Sequence, residues 1–411
     1  MAIRAREPNR WGCYRRRALI LVVFAGACDT GSSIPHHAVT RSDSQGVEVV
    51  LSRAAPPVPQ WWLDSLPQVR VGDGSDEDDH LFRVTGALLL DDRIAIANAG
   101  SWQVRFYSLT GSFLGASGRR GRGPGEFQYV SGIWEYPGDS LLVYDFRSQR
   151  YSMLDAAGAF GRAFPMTGPD EQSRYVTLAG VTASGELIMT TSTPITPSER
   201  PRVSRPTERI FLYSPKGMPG PMVTSFPGRE RYGAPDGAVG PRSFGIQGIV
   251  RGGGSRVVVA SSPHVELAVY AVDGSLARII RKEHEPVRVT NRHIRDERQR
   301  LEREATRFAG FSEPVVRGQR ALVEGMLFPE TFPAVDEVIV AENGHLWVRE
   351  YVVPGDSIAS WFVFGSDGAL LASCEIAASA VVYDATDNSV LLGRRDSLGV
   401  EHVELVHLRR P

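Results

Sequence analysis

The 411-residue chain contains only three cysteines, and its cations are almost all arginine, with Lys216 and Lys282 as the two lysines. So few lysines argue against Schiff-base chemistry, and so few cysteines argue against a disulfide framework. Neither sign of charge is in strong excess, and the net charge of −1 argues against a general nucleic-acid-binding protein. Composition therefore points away from lysine-based enzymes and from nucleic-acid partners.

Motifs of common catalytic and metal sites are also missing. The nine histidines are scattered, with no H-E-x-x-H motif and no cysteine cluster, so spacing reveals no zinc site, and no G-x-S-x-G elbow is present. The acidic stretch Asp73–His80 places oxygen donors at Asp73, Ser75, Glu77 and Asp79 but lacks the inner glycine and final glutamate of an EF-hand loop. We expect a solvated acidic loop and no cofactor, with calcium in this loop as the alternative.

The N-terminus has the pattern of an export signal. Six arginines precede the apolar run "ALILVVFAGA", which is long enough for a signal peptide and too short to span a bilayer. The run ends in "AGAC", which is similar to a bacterial lipoprotein box, so we predict that residues 1–27 are removed and that Cys28 carries lipid. Secretion without lipid is the alternative. The mature chain would carry a charge of about −6, and Cys374 is expected to be a buried core residue.

Repeated strand and turn patterns follow a polar, proline-rich tether at residues 28–60, which contains the strand-like patch "VEVVLS". Between residues 61 and 411, five segments share a tight turn between two strands, with glycine spacings of 47, 59, 57 and 94. These turn glycines are Gly111, Gly158, Gly217, Gly274 and Gly368. Glycine is expected there because such turns need a positive φ. The recurrence predicts an all-β fold of six four-stranded units.

Six such units favour a six-bladed β-propeller, because radial closure hides the edges of the sheets. The alternative, a pair of β-sandwiches, does not explain why one pattern recurs along the whole chain. The last unit stops after its third strand. We therefore predict that Val47–Leu51 supplies the fourth strand and closes the ring.

The stretches "VRFYSLTGSFLGASGRRGRGPGEF", "GDSLLVYDFRSQRYSMLDAAG" and "GHLWVREY" resemble the NHL-like six-bladed β-propeller lipoproteins of environmental bacteria, over residues 61–409. This resemblance implies that Gly121, Gly123 and Gly125 turn the chain from the rim of one blade to the hub of the next. It also implies that Phe127 fills the space between adjacent blades. The resemblance supplies a fold rather than a chemistry.

Other interpretations exist for "GRRGRGPGEF", residues 118–127. A phosphate cradle needs a helix after the glycines, and the following "QYVSGIWEY" predicts a strand instead. Arg119, Arg120 and Arg122 are candidate ligands for an anion at the mouth of the propeller. The alternative is that these side chains are solvated or paired with Glu126.

Catalytic side chains in a propeller would lie on inner strands around the channel, and Asp145, Arg349 and His345 lie in or beside predicted strands. Strand alternation defines two faces but not which of them meets the channel. The alternative assigns these aspartate and arginine side chains to ion pairs between blades.

The segment "NRHIRDERQRLEREATRFAG" predicts a helix within an insertion at about residues 283–333, between the fourth and fifth units. Its apolar stripe consists of Ile294, Leu301, Ala305 and Phe308. Pairs Asp296–Arg300 and Arg298–Glu302 are expected on the exposed side, and Gly310 is expected to end the helix. Either the stripe packs on the rim of the propeller, or the segment covers one mouth of the channel and binds a partner through Ile294, Leu301 and Phe308.

These observations predict a lipid-anchored, monomeric binding or scaffolding protein in the cell envelope, facing the periplasm or the cell exterior. Its expected partners are the membrane, through the N-terminal lipid, and a protein or small ligand at the mouth of the propeller, with no nucleic acid. The alternative, implied by enzymes that share this fold, is an exported lactonase, lyase or hydrolase with its site in the central channel.

Overall fold

Strands dominate the described part of the chain, for which we use a computed structural model. The structure describes residues 39–53, 58–72, 80–171, 173–193, 202–235, 237–308 and 310–411. The described residues fall in one compact unit, His37–Pro411. The predicted signal peptide, Cys28 and residues 73–79 of the acidic loop lie outside the described residues.

Four strands precede the repeated units. They are β1 (Val39–Ser44), β2 (Val47–Ser52), β3 (Gln60–Leu63) and β4 (Val69–Val71). The first two of these lie within the predicted tether, so an ordered segment begins well before residue 61.

Two antiparallel four-stranded sheets follow, each formed by strands that are consecutive in the chain. The first contains β5 (Val84–Leu89), β6 (Arg93–Asn98), β7 (Gln103–Ser108) and β8 (Phe113–Ser117). The second contains β9 (Val130–Tyr136), β10 (Ser140–Asp145), β11 (Arg150–Leu154) and β12 (Phe160–Pro165).

Additional short strands lie within the third unit and between the third and fourth units. In chain order the strands are β13 (Arg174–Thr182), β14 (Leu187–Ser192), β15 (Arg202–Ser204), β16 (Thr207–Tyr213), β17 (Met222–Pro227), β18 (Arg231–Gly233), β19 (Val239–Pro241), β20 (Ile249–Gly254), β21 (Arg256–Ala260), β22 (Val265–Ala271) and β23 (Leu276–Lys282). The third unit has the order β13-β14-β16-β17 and the fourth β20-β21-β22-β23, while β15, β18 and β19 form a separate small sheet.

Two helices follow β23: α1 (Asn291–Ala305), with a 3₁₀ turn at Thr306–Phe308, and α2 (Glu313–Gly325). Helix α2 was not predicted from the sequence, because Pro314 and Gly318 weaken the helical pattern. Proline is tolerated there because it lies in the first turn, where its missing N–H is not needed. No helix in the described part of the chain is long and apolar enough to cross a membrane.

The remaining strands form the fifth and sixth units. They are β24 (Val335–Val340), β25 (Leu346–Glu350), β26 (Ile358–Phe364), β27 (Leu370–Ala377), β28 (Val381–Ala385), β29 (Ser389–Arg395) and β30 (Glu401–Arg409). The fifth unit is β24-β25-β26-β27, and the sixth begins with β28-β29-β30.

The predicted closing strand is wrong. Residues Val47–Ser52 pair in parallel with β23 of the fourth unit, where Arg278 Nε donates to Glu48 Oε2 at 2.7 Å. The sixth unit is completed instead by β4, which pairs with β30, and Arg70 Nε donates to Glu404 Oε1 at 2.8 Å. β2 and β4 are both short and apolar, and the backbone of either could bond to the open edge of any unit. The sequence pattern of the two strands therefore does not determine which edge each one joins.

The N-terminal strands follow the rim of three successive units. β2 lies on the fourth unit, β3 bonds to β27 of the fifth and to β30, and β4 completes the sixth before β5 begins the first. The strands β2, β3 and β4 therefore form a belt of edge strands on these three units.

The first strands of the units contact one another in a closed order: β5, β9, β13, β20, β24, β28 and again β5. Register places the turns on two opposite faces. We call the face with the β5–β6, β9–β10 and equivalent turns the turn face. The face with the segments that join one unit to the next, such as residues 118–129 and 283–334, is the connector face. The predicted turn glycines lie on the turn face, and their φ values of 77° to 91° confirm the need for glycine.

Apolar side chains fill the spaces between neighbouring sheets. Phe106, Ile133 and Leu141 pack in one cluster that joins the first and second units. Cys374 is fully buried, which confirms its predicted core position, and burial raises the pKa of its thiol to about 12.

Candidate functional site

A cavity of about 730 Å³ opens on the turn face, where the first strands of the units end. Each of the six first strands contributes to its wall, through residues such as Leu89 of β5, Trp134 of β9 and Thr182 of β13. A volume of this size suits a small ligand or the side chains of a docked peptide. The cavity is therefore a site built by the whole ring rather than by one unit.

Asp384 of β28 lies in the wall of this cavity. One carboxylate oxygen accepts from Leu89 N at 3.1 Å, and the other from Ala385 N at 2.8 Å. The first contact joins the sixth unit to the first. Burial raises the pKa of Asp384 to about 6, opposed by the two hydrogen bonds and assisted by the nearby charges of Glu135 and Glu342.

Two further carboxylates, Glu135 and Glu342, share the cavity wall. Both side chains are exposed to solvent. Burial nevertheless raises the pKa of Glu135, and the negative charges of Glu342, Asp91 and Asp139 raise it further. Glu135 is thus crowded by protein while solvent still reaches it, as expected for a group at the mouth of a channel.

Glycines form the cavity wall opposite these carboxylates. A Cβ on Gly180 would lie 2.0 Å from Gly252 O, because β13 and β20 approach closely as a parallel pair. Gly253 differs, since a Cβ there would meet only Val340 Cγ1 at 3.5 Å. Arg256 lies beside these glycines and donates to Gly344 O, while burial lowers its pKa. The wall consists largely of backbone, which leaves room for a ligand.

Farther along the first strands, Arg251 of β20 and Glu337 of β24 are both crowded by protein. Burial lowers the pKa of Arg251, although its side chain is exposed to solvent, and burial raises the pKa of Glu337. The positive charge of Arg251 and the negative charge of Glu337 each partly offset the pKa shift of the other group. Glu337 also accepts an ion pair from Arg349 at 3.0 Å.

The three catalytic candidates predicted from the sequence have structural contacts instead. Asp145 is fully buried, and its carboxylate accepts from four backbone N–H groups, those of residues 128, 129, 147 and 148, at 2.7 to 3.2 Å. Arg349 pairs with Asp336 at 2.6 Å within the fifth unit, not between units. His345 lies near Asn343 in a turn, and burial lowers its pKa. None of these three lines the described cavity.

The segment "GRRGRGPGEF" lies on the connector face, away from the cavity. Arg119 Nε donates to Glu126 Oε1 at 2.9 Å, and Gly123 N donates to Glu126 Oε2 at 2.8 Å, which lowers the pKa of Glu126. Arg120 lies 5.2 Å from the ring centre of Trp102. Arg122 is exposed.

The glycines of this segment allow Glu126 to fold back across the loop. A Cβ on Gly121 would lie 2.0 Å from Glu126 Oε2, one on Gly123 would lie 3.0 Å from it, and Gly125 has a φ of +69°. Phe127 is fully buried in the cluster that joins the first and second units.

Helix α1 forms different contacts from those predicted. Arg300 pairs with Glu297 and Glu304 at 2.6 Å each, not with Asp296. Arg298 Nη1 donates to Glu324 O of α2 at 3.0 Å, not to Glu302. Arg300 has a different partner because Glu297 is buried beside it, and Arg298 has a different partner because α2, which was not predicted, lies next to it.

Ile294 and Leu301 are half-buried, and α1 ends at Ala305, before Gly310. The side chain of Phe308 lies outside the described part of the structure. The described residues contain no group of three His, Cys, Asp or Glu side chains that could hold a metal ion.

The cavity itself was not predicted from the sequence. Its clearest local signal is "RGGGS", residues 251–255, in which three glycines end a strand and mark a close backbone approach. The carboxylates Glu135, Glu342 and Asp384 are far apart in sequence and carry no shared motif.

No family model matches the chain, and no curated protein matches it. A member of the DUF4221 family from Bacteroides vulgatus is 10% identical, with a TM-score of 0.48, covering 85% of this chain and 99% of that one. A candidate exported protein from Bacteroides fragilis is 10% identical, with a TM-score of 0.47, covering 88% and 99%. Virginiamycin B lyase from Staphylococcus aureus is 9% identical, with a TM-score of 0.38, covering 85% and 100%. All three TM-scores are below 0.5.

Proposed function

We propose that this protein is an exported, lipid-anchored six-bladed β-propeller that binds a ligand or protein partner at the turn-face cavity. The blade number is supported by six antiparallel four-stranded units whose first strands contact one another in a closed order. The helices would form an insertion between blades four and five. Lipid anchoring is supported by the arginine-rich start, the short apolar run and "AGAC".

The single observation that carries the binding role is the cavity wall. First strands of all six units meet there, and glycine backbone on one side faces carboxylates and Trp134 on the other. A rigid ring with a ligand-sized opening of mixed polarity is the usual form of a recognition site.

The experiment uses Gly253→Gln, which places a long side chain in the cavity without a backbone clash. Gly161→Gln is the matched control, because Gly161 is exposed on β12 and a Cβ there would meet only Met153 O at 3.6 Å. Both variants and the wild type are used for affinity capture from native membranes, followed by mass spectrometry. Partners captured by wild type and Gly161→Gln but lost with Gly253→Gln would support the proposal. Identical capture by all three would contradict it.

A second candidate is an exported enzyme, favoured by Asp384. A half-buried carboxyl with a pKa of about 6 in a cavity is a suitable general acid or base for hydrolysis or elimination. A lactone and ester panel assayed with wild type and Asp384→Asn tests this candidate. Turnover that requires Asp384 and falls below pH 6, where a general base is protonated, would favour it.

A further inference from the structure

Three carboxylates in the wall of the turn-face cavity, those of Glu135, Glu342 and Asp384, have no cationic partner among the described residues. The charges that act on Glu135 are those of Glu342, Asp91 and Asp139, and all of them are negative. The charges that act on Asp384 are those of Glu135 and Glu342. The second, fifth and sixth units thus bring negative charge to one cavity, and the described residues leave it uncompensated.

The cation in the described wall of the cavity, Arg256, does not neutralise these carboxylates. Its guanidinium donates to Gly344 O. Burial lowers the pKa of Arg256, and the positive charge of Arg278 lowers it further. Arg278 in turn pairs with Glu48 at 2.7 Å. Arg256 is therefore bonded to backbone and influenced by another arginine rather than by the acids of the cavity.

A second hollow of about 390 Å³ adjoins the cavity and shares Glu342 and Thr386 with it. Its own aspartate, Asp387, pairs with Arg410 at 3.1 Å and accepts from Asn343 Nδ2 at 2.8 Å. The aspartate of the second hollow is therefore already compensated. The carboxylates without a cationic partner belong to the wall of the larger cavity.

An aromatic ring lies in the same wall. The indole of Trp134 occupies the space that Gly132 leaves, since a Cβ on Gly132 would lie 2.5 Å from Trp134 Cη2. The ring is half-buried against the cluster that joins the second and third units. An indole beside carboxylates attracts a cation that also has an apolar part.

The carboxylates are not arranged as a metal site. The described residues contain no group of three His, Cys, Asp or Glu side chains that could hold a metal ion. The three carboxylates nevertheless line one cavity of about 730 Å³. A ligand that reaches more than one of them must therefore be larger than a single ion.

From these contacts we infer that the cavity binds an organic cation, whose ammonium or guanidinium group is held by Glu135, Glu342 and Asp384 and whose apolar part packs on Trp134. This inference rests on the proposed binding function of the cavity. The two backbone hydrogen bonds to Asp384 leave part of its acceptor capacity for the N–H groups of a ligand. Attraction between opposite charges is also stronger in a protein-lined cavity than in bulk water.

The test uses three probes that share one aromatic body and differ in charge: phenethylammonium, 2-phenylethanol and phenylacetate. Their binding to the full-length protein in mild detergent is measured by isothermal titration calorimetry. The measurements are made at about pH 7.5, where ordinary carboxyls are ionised and which lies above the pKa of Asp384, about 6.

The variants Glu135→Gln and Glu342→Gln each remove one charge from exposed side chains of the cavity and keep their size. Glu302→Gln on α1 is the matched control, because Glu302 is exposed and does not line the cavity. Gly253→Gln fills the cavity and shows whether a probe binds there.

We expect wild type to bind phenethylammonium at least about tenfold more tightly than the other two probes. Each cavity glutamine variant should weaken this binding severalfold, Gly253→Gln should abolish it, and Glu302→Gln should leave it unchanged. No binding of phenethylammonium to wild type, or binding that persists in Gly253→Gln, overturns the inference. Equal binding of all three probes that Gly253→Gln abolishes also overturns it, but leaves the cavity as a binding site. Affinity capture with Gly253→Gln tests the proposed function separately.

Discussion

Replacing Asp384 by asparagine should change how the stability of the protein depends on pH. The folded-state pKa of Asp384 is about 6, above the ordinary value of 3.8, mainly because the carboxyl is buried. Between these values the folded protein binds a proton that the unfolded chain releases. The stabilisation from this proton is fully present below about pH 4 and is lost as the pH rises through 6.

The size of the effect follows from the shift of about two pKa units, at about 1.4 kcal/mol for each unit. Wild type should therefore lose about 2.5 kcal/mol relative to Asp384→Asn between pH 4 and pH 7, because part of the change already occurs below pH 4. Asparagine gives up one of the two acceptors for Leu89 N and Ala385 N. That loss does not depend on pH, so it cancels when the two pH values are compared.

The assay is urea unfolding of both proteins in mild detergent from pH 4 to pH 7, followed by tryptophan fluorescence. Asp387→Asn is the control, because hydrogen bonds from Asn343 and Arg410 lower the pKa of Asp387. The stabilisation from this lowered pKa is already present above about pH 4 and is lost only at lower pH, so the difference between wild type and Asp387→Asn should stay nearly constant from pH 4 to pH 7. A constant difference between wild type and Asp384→Asn across this range would refute the reasoning.

Three further predictions concern the ring itself. Val71→Asp puts a charge on a buried position of the strand that completes the sixth unit, and it should lower the melting temperature far more than Thr40→Asp on the exposed β1. Phe127→Ala should cost about 3–5 kcal/mol of stability, whereas Arg119→Ala should change the stability by less than about 0.5 kcal/mol. Thermal melts measure both changes, and equal melting temperatures for the two variants would contradict this prediction. Asp145→Ala leaves four backbone N–H groups without their acceptor and should cost several times the ~1 kcal/mol of one hydrogen bond; similar unfolding midpoints for variant and wild type would contradict this.

Local features were predictable because their causes are local. Alternating apolar residues specify strands, and a turn that needs a positive φ specifies glycine, so the repeats around Gly111 and Gly274 could be found in the sequence. Helix α1 was predictable for the same reason. Helix α2 was not, because Pro314 and Gly318 hide a helix that is stabilised by packing Leu322 and Met326 against Tyr232.

The candidate site was not predictable, because it depends on which distant segments meet. Glu135 and Asp384 share a cavity only after six strands have been placed side by side, and their raised pKa values follow from that crowding. The choice between Val47–Leu51 and Val69–Val71 as the strand of the sixth unit also lay beyond the sequence. Both patches are short and apolar, and the backbone groups of any open edge can bond to either. The sequence alone determined that strands and glycine turns recur along the chain. Only the tertiary structure, which sets the positions of the open sheet edges, decided which N-terminal strand joins each unit.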